Sequence, residues 1–417
     1  MLQTFIDFFS FTDPNVRYVT LGVVLLTASI PMVGTFTLLR EKALVGDAVA
    51  HATLPGVCLA FIITSTQHTL FFTLGAFITG WMAVIFIDEM VRRTKIKNDT
   101  AIALALSWSF GVGIFLLTII QQLGNPAQMG LSNFLFGKAA ALVENDIKVL
   151  IGMSGLLMIL IRSIFKELVL ITFDKTFAQS IGLPIQFLEW LFTSFMVLAI
   201  VVGISTVGIL LVTALLITPA IAARCWTSNL FHMLLLASFL GIIAGVLGTF
   251  ISYSNPAMST GPWIVIVISL IAYLSFLVAP NRGLLARKIK QHKRRRKMFA
   301  ENILKLFYML DIEEGEYYCT RSLSTIAQKL RLSNQSTVLG ALNRLTKCKL
   351  LHKNKQGWRL TSTGKVQGGR ISQLHLLWER YLVQKLNQSP QYVHSNAEYI
   401  EHIITPELAK ELRNTVI

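Results

Sequence analysis

The sequence predicts an all-α polytopic membrane domain of about nine transmembrane helices, followed by a winged-helix domain and a helical C-terminal region. Three observations carry this. Of 417 residues, 53% are hydrophobic and only 14% charged, against about 25% charged in a soluble globular protein. Apolar runs of the roughly 20 residues needed to cross a bilayer recur through the first two thirds of the chain. The charge is also unevenly divided: residues 1–280 hold 13 Lys/Arg and 12 Asp/Glu, residues 281–417 hold 25 and 10. Charge within a bilayer costs a few kcal/mol per residue, which explains the near-neutral first part. The strongly basic remainder implies a polyanionic partner, either nucleic acid or anionic lipid.

Nine spans are predicted near 18–39, 44–64, 69–91, 100–121, 147–165, 187–205, 207–223, 230–251 and 262–279. Alternate connections hold Arg40 and Lys42; Arg92, Arg93, Lys95 and Lys97; Arg162, Lys166 and Lys175; and Arg224, while the opposite set holds only Arg17, Lys138 and Lys148. The positive-inside bias then puts the N-terminus outside and the C-terminus in the cytoplasm, as a multi-pass inner-membrane protein. The expected organisation is a membrane domain over 1–280, a basic linker over 281–297, a winged helix-turn-helix over 298–366 and a helical region over 367–417. The linker run ARKIKQHKRRRK (286–297) offers a surface to membrane lipid and, if exposed, a place where cleavage would release a soluble cytoplasmic fragment. The first residues lack a basic n-region and a small-residue cleavage site, so no removable signal peptide is expected. Cys58, Cys225, Cys319 and Cys348 show no CxxC spacing, which leaves no thiolate zinc motif.

The second span opens REKALVGDAVAHATLPGVCLAF (40–61). Asp47 and His51 are four apart, so a helix stacks carboxylate and imidazole on one face. A hard oxygen beside a borderline nitrogen suits a first-row divalent metal, and ionisable groups inside a span are functional by default. An interfacial capping Asp beside a satisfied His is the alternative. The string GDAVAHATLPG resembles the signature of permeases of the metal-specific ABC importer family, for manganese, zinc and iron. So do, in order, NFLFGKAAALVENDI (133–147), FDKTFAQSIGLP (173–184), VGILLVTALLITPAIAAR (207–224) and GPWIVIVISLIAYL (261–274). The resemblance covers about 15–280. It implies that Asp47 and His51 line the metal path, and that Asp174, Ala178 and Gly182 mark the cytoplasmic segment that docks on the ATPase. No GxxxxGK[ST] phosphate-binding loop occurs, Gly364-Lys365 being followed by Val. The chain is therefore expected not to be an enzyme itself, and a separate ATPase subunit to hydrolyse ATP. Further expected partners are a second permease copy or paralogue and an extracytoplasmic metal-binding protein.

Beyond the basic run, MFAENILKLFYML (298–310) reads as an amphipathic helix with Phe299, Ile303, Leu306, Phe307 and Leu310 on one stripe. Residues 320–351 divide into a helix at 322–330, a turn at 331–333 and a helix at 334–347 capped by Ser333, a helix-turn-helix. LHKNKQGWRLTSTGKV (351–366) follows as strand, turn and strand, a wing. Candidate contacts to double-stranded operator DNA are Asn334, Gln335, Ser336, Thr337, Arg344, Lys353 and Lys355. The last 45 residues place His375 and Glu379 four apart on a helix at 371–387, and His394, Glu398, Glu401 and His402 at helical spacing.

From 298 on, the chain resembles the DtxR/MntR family of metal-dependent repressors, which implies a dimerising, metal-binding C-terminal region. Glu398 and the IEH at 400–402 stand where that family has its metal motif, and His375, Glu379 and His394 fall on its ligand positions. One departure is clear. The first helix of that family supplies a ligand or two, acidic in the manganese branch, where this sequence has Asn302 and Lys305. Without thiolates, Mn²⁺ or Fe²⁺ is favoured over Zn²⁺. The expected function is a permease subunit for ATP-driven divalent metal import, with a fused metal-responsive repressor. The alternatives are a membrane-tethered metal sensor, or a C-terminal domain that gates the transporter.

Overall fold

The computed structural model describes residues 2–11, 13–64, 69–122, 142, 144–254, 259–280, 282–330, 335–386, 404 and 406–416. The chain divides into two compact units, Met1–Ala286 and Arg287–Ile417.

The first unit is wholly helical among the described residues: α1 (Leu2–Ser10), α2 (Pro14–Leu39), α3 (Val45–Thr64), α4 (Thr69–Arg93), α5 (Asn98–Gln122), α6 (Glu144–Ser163), α7 (Phe165–Phe173), α8 (Lys175–Ser180), α9 (Ile185–Val207), α10 (Ile209–Trp226), α11 (Leu230–Ser254) and α12 (Thr260–Val278). A helix stands where each of the nine spans was predicted. Eight of them are long and apolar enough to cross a membrane. The ninth, α6, carries Glu144, Asp146 and Lys148 in its first turns and Arg162 near its end, which shortens its apolar stretch. It is nonetheless packed into the bundle, with Ser154 Oγ 3.3 Å from Ser29 Oγ of α2.

Helices α2 and α3 form the centre, with 72% and 67% of their spans buried, against 17% for α5 and 22% for α12. Proline is tolerated in the central helices because neighbours satisfy the backbone it disturbs. Pro31 lies inside α2, and Ser238 Oγ of α11 donates to the carbonyl of Ala28, three residues before it, at 2.7 Å. Between α9 and α10 the chain bends at a single residue, Gly208, whose φ of +87° suits glycine; the bend brings Gly203 against Val212.

Small residues let backbones meet. A Cβ on Gly34 of α2 would run into the carbonyl of Leu216 in α10, and Gly56 of α3 lies against Gly75 of α4. Gly34→Ala should therefore lower the thermal stability of the purified protein by about 1–3 kcal/mol, the usual cost of overpacking. A thermal unfolding curve in detergent checks it; an unchanged midpoint would refute the close approach.

Helix α13 (Leu284–Glu313) has its first three residues in the first unit; in the second it carries the basic run and continues without a break into the predicted amphipathic helix. The residues expected as a linker are thus helical from Leu284 on: no Gly or Pro interrupts Leu284–Lys297, and the helix that follows is anchored in a core. Ile303, Phe307 and Leu310 are buried. Ile303 and Phe307 meet Ile326 of α14 (Leu323–Lys329), Val338, Leu342 and Leu345 of α15 (Gln335–Lys347), and Leu351, Trp358 and Leu360 of the hairpin β1 (Leu351–Asn354) and β2 (Gly357–Leu360). Ser322 caps α14 by accepting from the Thr325 amide at 3.3 Å. The strands are antiparallel, Leu351 opposite Leu360.

The second strand ends at Leu360, not 366 as the sequence suggested, and α16 (Ser362–Leu386) begins nine residues before the predicted 371. The Thr-Ser-Thr run reads as strand by propensity, but Thr361 Oγ1 accepts from the Gly364 amide at 3.0 Å and starts the helix. Helix α17 (Pro406–Val416) packs Leu412 on Leu374, Trp378 and Tyr381 of α16. Arg321 ties the core together. Its backbone pairs with Trp358 and its buried guanidinium binds Asp311 at 2.9 Å and Glu314 at 2.8 Å; that pairing holds the Glu314 carboxyl below its ordinary range.

Candidate functional site

Helix α3 explains why the Asp47/His51 pair is accessible at all. From Val45 to Cys58 every residue is buried except these two. Leu216 closes on Gly46, Gly75 on Gly56, and Gly113 of α5 on Leu54, so three neighbours cover the helix and leave one stripe open. On that stripe His51 Nε2 lies 3.8 Å from Asp47 Oδ1, and the imidazole is held edge-on to Phe110 of α5 at 5.2 Å. The pair supplies one carboxylate and one imidazole. Among the described residues no group of three or more His, Cys, Asp or Glu converges, so two ligands stand here and a full shell needs others.

Sequence reasoning missed Arg40, which it used only as a topology marker. At the end of α2, its Nε donates to Thr172 Oγ1 of α7 at 3.1 Å, and its guanidinium lies 4.5 Å over the Phe192 ring of α9. It joins the segment before Asp174 to the turn that leads into α3. Only its position, seven residues before Asp47, could have signalled this.

Asp174 closes α7 and caps α8, accepting from the Phe177 amide at 2.9 Å and the Thr176 hydroxyl at 2.7 Å. These bonds hold its carboxyl below the usual range, the Phe177 amide contributing most. Gly182, at φ +81°, ends the turn with open space around it. Ala178 is buried against Ile171 and Leu188, while Phe173, Phe177 and Ile181 stand exposed. Lys175 meets Glu189 of α9 at 2.6 Å. The segment is a short, hydrogen-bonded knuckle with an apolar crest.

In the second unit, Gln335, Ser336 and Thr337 are exposed at the start of α15, and Arg344 further along it. Helical spacing adds Asn343 and Lys347, also exposed, which the sequence reading omitted although Ser336 and Arg344 define their stripe. Lys353 of the hairpin is held 5.2 Å over Trp358, and Lys355 is exposed at the turn. Asn334 lies outside the described residues. His375 is buried, its Nε2 2.9 Å from Glu379 Oε1, so this predicted pair is brought together. His394, Glu398, Glu401 and His402 lie outside the described residues, as does most of 133–147. Lys305 is buried on α13 and Asn302 half-buried beside it.

A bundle of span-length helices, followed by a basic unit with its own core, defines a polytopic membrane protein with a separate C-terminal unit. The chain belongs to the ABC 3 transport family, whose profile matches residues 12–279. Residues 361–416 match the metal binding and dimerisation domain of the iron dependent repressor, and 294–377 the N-terminal domain of the methanogenesis regulatory protein FilR1. The manganese transport system membrane protein MntC of Bacillus subtilis (strain 168) is 39% identical over 399 residues, 95% of this chain and 90% of that protein. The zinc transport system membrane protein TroC of Treponema pallidum (strain Nichols) is 39% identical over 66% of this chain and 92% of its own. The structure of PsaBC from Streptococcus pneumoniae in complex with Fab superposes with a TM-score of 0.60 at 32% identity, over 69% of this chain and 100% of that one.

Proposed function

We propose that the chain is the permease subunit of an ATP-driven divalent metal importer, with a fused metal-responsive repressor. One observation carries the transport reading: the only accessible positions on the otherwise buried first four turns of α3 are a carboxylate and an imidazole. Two copies facing across a two-fold axis would double the donors to four, enough for a first-row ion. Mn²⁺ or Fe²⁺ suits this set of carboxylate and imidazole without thiolate, with Zn²⁺ as the alternative; the relatives named for manganese and for zinc support that range. A separate ATPase would seat the knuckle at Asp174–Gly182, and an extracytoplasmic binding protein would deliver the ion. The charge bias supports an outside N-terminus and a cytoplasmic C-terminus. ATP-dependent uptake of radioactive Mn²⁺ into vesicles holding the whole complex tests the reading. Uptake of equal rate without nucleotide would make the chain a secondary carrier.

The second unit we read as winged helix-turn-helix over 298–366 and helical metal-sensing region over 367–417, behind the membrane domain 1–280 and the basic stretch 281–297. The exposed polar and basic face of α15 would enter the major groove, with the hairpin alongside. Buried His375 and half-buried Glu379 form a nitrogen–oxygen donor pair that fits a first-row metal, and Glu398, Glu401, His394 and His402 would complete it. Mn²⁺ bound there would order the dimer that reads a palindromic operator. Release of this unit by cleavage within 281–297 would require local unwinding of α13 first.

Fragment 287–417, which has its own core, should bind operator DNA about tenfold or more tightly with Mn²⁺. His375→Ala should erase that response, at the 10–100-fold scale typical of metal-site changes. Arg344→Ala should weaken binding with and without metal and reduce the salt slope by about one. DNA binding indifferent to chelators would remove the sensing role.

A further inference from the structure

We propose that the basic first half of α13, Leu284–Lys297, is an interfacial element that binds anionic lipid headgroups beside the last span. Between Arg287 and Lys297 stand eight Lys/Arg and no acid, and every one of these eleven residues is exposed. Lys297, 3.7 Å from Glu301, is the one that meets an acid among the described residues. On a helix the run covers about 16 Å and places like charges one turn apart, Lys290 with Arg294 and Lys293 with Lys297, an arrangement that destabilises an isolated helix. A polyanion that neutralises these charges would favour the continuous helix.

Two features select lipid over nucleic acid. Helix α13 begins six residues after Val278, where α12 ends, and the basic run nine residues after it. Its first turns also present apolar side chains outward: Leu284, Leu285 and Ile289 are 38%, 51% and 55% exposed. Leu285 and Ile289 share a stripe with His292 and Arg296, while Arg287, Lys290, Arg294 and Lys297 line another. Phosphates of a duplex would neutralise the cations and leave the leucines in water. A headgroup layer takes both, the apolar footing at the acyl boundary and the cations among phosphates. A positive-inside signal alone requires neither a helix nor an exposed apolar footing. The inference rests on the reading of α12 as a membrane span, and on no assumption about transport or orientation.

The test uses the full chain in nanodiscs, which present the same lipid on both faces. Trypsin cutting within 287–297 is compared with cutting at the exposed Lys410 of α17, in phosphatidylcholine alone and mixed in equal parts with phosphatidylglycerol. The ratio should fall about tenfold or more with the anionic lipid. It should recover at 1 M salt, where the screening length shrinks to about 3 Å. Lys293→Gln/Arg294→Gln/Arg295→Gln should lose most of the protection, and Leu285→Ser/Ile289→Ser part of it with all charges kept. Equal ratios in the two lipids would overturn the proposal. So would protection by duplex DNA in zwitterionic discs with none from phosphatidylglycerol, which would assign the run to nucleic acid.

Discussion

Asp47→Ala and His51→Ala should each lower metal uptake by at least about 100-fold, because even groups one shell removed from a metal cost about 10–100-fold when lost. The protein itself should survive the change. Both side chains are partly exposed on a helix whose packing is made by other residues, and alanine is the best helix former. Thermal stability in detergent should stay within about 0.5 kcal/mol of the parent, as for surface substitutions generally. Asp47→Asn separates charge from shape: it keeps an oxygen donor and removes the anion, so uptake should fall while the fold is untouched. Parental uptake by both alanine variants at equal expression would take this pair out of the transport path.

Changes in the knuckle at Asp174–Gly182 should separate ATP hydrolysis from transport. Gly182→Pro removes the amide that donates to Gln179 at 3.1 Å and fixes φ near −65°, where the chain requires +81°. The turn must then open. Asp174→Lys removes the acceptor of the Phe177 amide and the Thr176 hydroxyl, and puts a cation at a helix N-terminus. In either variant, Mn²⁺ carried per ATP hydrolysed should fall at least about tenfold, the rate equivalent of roughly 1.4 kcal/mol. Arg40→Ala, which cuts the link to Thr172, should move the same ratio in the same direction. The pH dependence follows from the depressed Asp174 carboxyl. Its stabilising contribution is present above the unfolded value and is lost as pH falls through the folded one. The cap is therefore complete at neutral pH, and acid uncoupling appears only below the ordinary carboxylate range. Intact coupling in both knuckle variants would place the docking surface elsewhere.

These two predictions differ in how far the residues alone announced them. The i,i+4 spacing of Asp47 and His51 is a property of any helix, and the run around them is long and apolar enough for a span despite Pro55 and its polar residues. That every other residue of α3 through Cys58 is covered, leaving this pair at the opening, depends on Gly75, Gly113 and Leu216, which are 19 to 170 positions away from their contacts on α3. Arg40 shows the same limit: its partners Thr172 and Phe192 come from other helices.

In the second unit the stripe Ile303, Phe307 and Leu310 was legible as period, whereas the start of α16 was not. Thr361 has the local preference of a strand and becomes a cap only because the hairpin ends beside it and its hydroxyl meets the Gly364 amide. The basic run showed its charge in the sequence and its helical continuity only in the fold. Hydropathy, period and charge bias act locally and along one chain direction, so the sequence by itself determined the span-length helices, the basic extension and the i,i+4 pairing of Asp47 with His51. Which faces stay open, which cation reaches which helix, and where a strand gives way to a helix were decided by tertiary packing. Each depends on contacts between distant segments that no local pattern records.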